Sequence, residues 1–162
     1  MTTGVPAAAG RQEDDMILQT TRFGAVEVDE GRLIDFPGGL LGFANARRFA
    51  LLQPDARGVF FWLQSTENPD LAFVVTDPAL WADDFAAPLR PEQVSEIGLN
   101  DPSEAQTFVI VNRRGAVLTA NMQGPLVISA VTRRGVQVVL AERRWSTRHE
   151  LVRLEGAQVV GA

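Results

Sequence analysis

From residue 16 onward, apolar residues fall in short runs, each closed by Gly, Pro, Asn or Asp. That punctuation predicts strands over 16–22, 25–29, 32–36, 48–53, 59–64, 71–76, 106–112, 116–121, 126–131 and 136–141. Three runs lack the polar–apolar alternation of a half-exposed strand: Val59-Phe60-Phe61-Trp62-Leu63, Leu71-Ala72-Phe73-Val74-Val75 and Leu126-Val127-Ile128. Periodicity alone leaves a buried helix open for such runs. Their brevity, β-branched content and flanking turns favour strands covered on both faces. Asn112-Arg113-Arg114-Gly115 and Thr132-Arg133-Arg134-Gly135 each end in Gly between apolar segments, which predicts short hairpins with a left-handed residue. One helix is predicted over 91–97, with Pro91 at its first position, Glu92 at the positive end of its dipole and Gly98 as its stop. A further helical turn is expected around Leu80–Phe85. Residues 1–15 are small, polar and aperiodic and read as a disordered tail, and 154–162 as a frayed one. Ten short strands with one or two short helices make residues 16–153 a mostly β domain, a compact antiparallel barrel or sandwich.

A length of 162 residues fits one domain, and a hydrophobic fraction of 46% supports a full core. No stretch approaches the roughly 20 apolar residues of a membrane span. The first residues lack the apolar core of a secretory signal, so the expected address is the cytoplasm. The chain has no cysteine, which excludes disulfides, thiol catalysis and Cys-ligated zinc. All 15 basic residues are arginine and tyrosine is absent, so neither a Schiff-base lysine nor a phenolic acid exists. The net charge of −5 disfavours nucleic acid as the partner, because that affinity rests largely on phosphate neutralisation. Charge is also uneven: nine acids lie between Gln64 and Glu104 against Arg90 alone, and eight arginines between Arg113 and Arg153 against Glu142 and Glu150. This distribution fits either an acidic face for a basic partner or simply solvated loops.

Candidate chemistry is sparse. His149, the only histidine, lies on a polar stretch and reads as a solvated side chain. Asp83-Asp84 reads as a loop or helix-start feature, since adjacent carboxylates diverge in most backbones. No phosphate-loop or nucleophile-elbow pattern occurs. No catalytic residue, metal ligand or cofactor is therefore expected. Phe60, Phe61, Trp62 and Phe73 fit either a stacking platform for single-stranded nucleic acid or the barrel core, and the acidic balance favours the core.

The unusual segment is Phe36-Pro37-Gly38-Gly39-Leu40-Leu41-Gly42-Phe43, which surrounds large apolar side chains with turn residues. Such a loop either tucks its leucines under itself or offers them to a partner. The segment is followed by Phe61-Trp62-Leu63-Gln64-Ser65, then Asn68-Pro69-Asp70-Leu71-Ala72-Phe73-Val74-Val75, Asn121-Met122-Gln123-Gly124-Pro125-Leu126-Val127-Ile128 and Gln137-Val138-Val139-Leu140. In this order and spacing the chain resembles the flagellar assembly factor FliW family from about Leu18 to Arg148. The resemblance implies a non-catalytic β-barrel-like fold with two protein partners. One is flagellin, held before export; the other is the translational repressor CsrA, which FliW proteins antagonise. Flagellin translation is thereby coupled to export, without direct contact to nucleic acid or membrane.

The chain departs from the family pattern at Leu41, where proline is usual, and at Ala44, where an acid is usual. The missing proline implies a more mobile loop. Leu40, Leu41 and Phe43 are the candidate apolar contacts. Gln64, Asn121 and Gln137 are candidate partner contacts, and for the amides Asn121 and Gln137 a structural tie is the favoured role. The competing reading is a small β-barrel that binds a small ligand or single-stranded nucleic acid.

Overall fold

The computed structural model describes residues 15–53 and 56–154. The tails expected before residue 15 and after residue 154 lie outside the described residues.

The expected strands form with shifted limits: β1 (Asp15–Thr20), β2 (Gly24–Asp29), β3 (Ile34–Asp35), β4 (Arg48–Leu52), β5 (Phe60–Ser65), β6 (Ala72–Thr76), β7 (Ala105–Arg114), β8 (Val117–Ala120), β9 (Leu126–Ser129) and β10 (Gly135–Gln137). Of the region expected as strand 32–36 only Ile34–Asp35 pairs, because Asp29 caps a 3-10 turn at Glu30–Arg32 by accepting the Gly31 N–H and so takes Arg32 out of the strand. An eleventh strand, β11 (His149–Arg153), pairs with β8 and was not predicted. Its sequence is polar and its register slips between Glu150 and Val152, as suits an exposed edge. The helix α1 (Pro91–Ile97) forms as expected. The Arg90 N–H donates to Gln93 Oε1 at 2.8 Å, and Gly98 ends the helix at φ 66°. The other helical turn forms at Pro78–Leu80, earlier than expected, because the Asp77 carboxylate accepts the Ala79 N–H.

All strand pairings are antiparallel, in the order β10-β9-β7-β6-β5-β4-β3, with β8 joining β7 to β11. The ten-residue β7 makes the turn of the sheet possible: Ala105–Phe108 pair with β9, Val111–Arg114 with β8, and Val109–Val111 with β6. The path curls until its ends meet at one bridge, where the Asp35 N–H donates to the Arg133 carbonyl at 2.9 Å. Inside the curl, Ile34, Phe36, Phe49, Leu63, Val75, Phe108, Leu126 and Ile128 form one core. On the outer face, Val109 and Val127 pack under Ile97, Met122, Val138, Leu140 and Trp145. This second core explains why β7 and β9 do not alternate: each has apolar cover on both faces. The β1–β2 hairpin seals a third patch, with Leu18 against Leu33 and Ala50.

The two Arg-Arg-Gly turns differ. In the β7–β8 hairpin Gly115 is left-handed at φ 62°, as expected. In the β9–β10 turn the left-handed residue is Arg133 at φ 61°, and Gly135 serves another purpose. A Cβ at Gly135 would stand 2.6 Å from Phe36 Cε1 and 3.0 Å from Ile128 Cγ1. Glycine is required there by space, because β10 crosses directly over the buried Phe36 ring.

Candidate functional site

The segment between β3 and β4 folds into a small, well-tied turn. Phe36 is fully buried, and its carbonyl accepts the Gly39 N–H at 2.8 Å. Gly39 is left-handed at φ 71°, and any Cβ there would overlap Ala44. Leu40 and Phe43 exchange backbone hydrogen bonds at 3.3 and 2.8 Å across Leu41-Gly42. The second central residue, Gly42, has φ 83°, the positive φ that a type II turn demands.

This geometry sorts the leucine pair. Leu40 is buried at 3% exposure, so the expectation that it joins an apolar surface gives way to a core role. Leu41 at the turn tip is 61% exposed and Phe43 is 43% exposed. Phe43 nevertheless has a rigid footing: its ring meets Phe73 edge-on at 5.2 Å, and Phe73 touches Phe49 of the inner core. Shallow clefts flank the turn. One of about 300 Å³ runs along β10 and is lined by Leu40, Leu41, Glu96, Val136 and Gln137. The other, of about 410 Å³, is lined by Phe43, Asn45, Glu67, Asn68 and Leu71.

The three amides stand behind this surface. Gln137 Oε1 accepts the Leu41 N–H at 2.8 Å, and its Nε2 donates to the Gly124 carbonyl at 2.9 Å. Both ends of the side chain are thus engaged, which fixes the amide orientation and ties the turn tip to the β8–β9 connection. The Leu41 N–H is the donor that a proline would lack, so this chain restrains its loop by a hydrogen bond. Asn121 Oδ1 accepts the Gln123 and Gly124 N–H groups at 3.1 and 3.0 Å, shaping the connection to which Gln137 is anchored. Gln64 is fully buried, and its Nε2 donates to the Ser65, Pro69 and Leu71 carbonyls at 3.1, 3.2 and 3.1 Å. It therefore shapes the wall of the second cleft from within, while its Oε1 has no hydrogen-bond partner among the described residues. Glu67 was not singled out by the sequence, although its Oε1 accepts the Arg47 and Arg48 N–H groups at 3.0 and 3.3 Å and anchors the far end of the loop. No local signal marks it, because it lies about a full hairpin away in the chain.

The remaining candidates have structural surroundings. Phe61 and Phe73 pack on the inner core. Phe60 lies against Trp81, and Trp62 lies beside Phe23 and beneath the Arg22 guanidinium at 4.3 Å. The four aromatics are half-buried with these neighbours and present no open strip. His149 lies on β11, its ring 6.3 Å from that of Trp145. Asp84 pairs with Arg144 at 2.6 Å. Among the described residues, no group of three or more His, Asp or Glu side chains is placed to hold a metal, and no helix is long and apolar enough to cross a membrane.

The family model described as FliW protein matches residues 17–151, which is nearly every described residue. The chain belongs to the FliW family. A flagellar assembly factor FliW from Leptospira interrogans serovar Lai is 42% identical over 146 residues, covering 88% of this chain and 95% of that protein. One from Geobacter sulfurreducens is 39% identical over 136 residues, covering 83% and 85%. The crystal structure of a flagellar assembly factor FliW superimposes with a TM-score of 0.77 at 28% identity, covering 85% of this chain and 97% of that one. Family and fold thus agree, and the FliW relationship supports a role in flagellar assembly.

Proposed function

We propose that this FliW-family protein is a non-catalytic cytoplasmic regulator that holds flagellin and antagonises CsrA, so that flagellin translation follows export. The observation that carries the proposal is the Leu41–Phe43 turn, with two large apolar side chains on a backbone clamped at both ends. Exposed apolar groups on a rigid support lose little entropy when bound, which favours a recognition surface. The amphipathic helices at flagellin termini would lay their apolar faces against Leu41 and Phe43. The exposed Glu96 at the edge of the β10-side cleft offers a carboxylate to a basic group of either partner.

The test is gel filtration of the full chain with the cognate flagellin and, separately, with CsrA. Complexes are expected at micromolar concentration, and failure of both to co-elute would refute the proposal. Phe43→Ala is expected to weaken flagellin binding while lowering stability by only about 1 kcal/mol, because its contact is one aromatic edge at a half-open site. A large drop in melting temperature with binding intact would place Phe43 in the core instead.

A further inference from the structure

A third cleft, remote in sequence from the Leu41–Phe43 turn, lies between the β7–β8 hairpin and the segment leading into β11. It measures about 480 Å³ and is lined by Asn112, Arg113, Arg114, Thr119, Asn121, Thr147 and Arg148. Three of its seven lining residues are arginines and none is acidic. Elsewhere Arg48, Arg90, Arg144 and Arg153 each hold a carboxylate. The guanidinium groups of Arg114 and Arg148 have no such partner among the described residues. Arg113 spends only its Nε, on the Gly115 carbonyl at 2.9 Å, which leaves its terminal nitrogens free. Glu150, which sits across from the lining residue Thr119, is engaged by Arg153 at 3.4 Å.

The support is rigid. Asn112 faces Thr119 in the β7–β8 register, and the Arg148 N–H is held by Ser146 Oγ at 2.9 Å. Arg113, Arg114 and Arg148 line one cleft without an acidic lining residue, so an incoming anion is attracted to it. Guanidinium forks flanked by amides and hydroxyls match carboxylates bidentately. The lining contains no aromatic ring on which a base would stack.

We propose that this cleft is a docking surface for an acidic peptide segment of a partner protein. The direct probe is fluorescein-labelled hexaglutamate, titrated with the full chain and read by anisotropy. Binding is expected in dilute salt and is expected to weaken about 10-fold as salt rises from about 50 to about 500 mM. The double variant Arg114→Gln, Arg148→Gln should weaken binding at least about 5-fold, with an unchanged melting temperature because both side chains are exposed. Arg90→Gln, which alters an exposed arginine already paired with Glu92, should leave binding unchanged. The proposal is overturned if hexaglutamate fails to bind in dilute salt, or if the double variant binds it as well as the parent does. It is equally overturned if a twelve-residue oligouridylate binds more tightly than hexaglutamate and loses that binding in the double variant, since the cleft would then read nucleic acid.

Discussion

Replacing Gln137 by Leu removes two hydrogen bonds at once, Leu41 N–H to Oε1 and Nε2–H to the Gly124 carbonyl. Their costs differ. Leu41 is exposed, so water replaces the lost acceptor and the penalty is about 0.5–1 kcal/mol. Gly124 is buried, so its carbonyl loses a donor that water cannot easily supply, at about 1–2 kcal/mol. The sum is about 2 kcal/mol, or roughly a 6 °C lower melting temperature for a domain of this size. Gln137→Glu separates the two effects: a carboxylate still accepts the Leu41 N–H but repels the Gly124 carbonyl. Both variants should therefore lose stability, whereas amide exchange at Leu41, read by NMR below the transition, should accelerate about 5-fold only in Gln137→Leu. The proposed flagellin binding should weaken as that exchange rate rises. Unchanged Leu41 exchange in Gln137→Leu would refute the claim that this amide restrains the turn.

Leu41→Pro should be nearly neutral by thermal melting, because the lost bond to Gln137, about 1 kcal/mol, is offset by a φ preset for the first turn position. Gly135→Ala should destabilise by about 1–3 kcal/mol in urea titration, since its methyl group meets the Phe36 ring at 2.6 Å and that ring has nowhere to move. Gln64→Ala should cost about 2–4 kcal/mol through a buried cavity and the loss of three carbonyl partners, while flagellin affinity of the folded variant stays unchanged. Weakened affinity at full stability would make Gln64 a contact residue.

Several features were legible because they are local. The helix 91–97, its Gly98 stop and the left-handed Gly115 follow from residues that are neighbours in the chain. The uninterrupted apolar run of β9 announced cover on both faces, although it did not say what would cover it. The polar β11 gave no such signal, because an edge strand gains its place from β8's unpaired backbone and needs no apolar pattern of its own.

The family membership and the β-rich domain were thus determined by the order of residues alone: turn residues at fixed intervals and apolar runs too short for helices leave little else. Which residues face a partner was decided only by the tertiary structure. Leu40 and Leu41 are adjacent and chemically identical, yet one is sealed in the core and the other stands at the tip of a turn. The amides divided in the same way, Gln64 inward and Gln137 onto the turn from 96 residues away. Exposure and hydrogen-bond partners depend on which segments the curled sheet brings together, and that pairing acts across distances at which local preference carries no information.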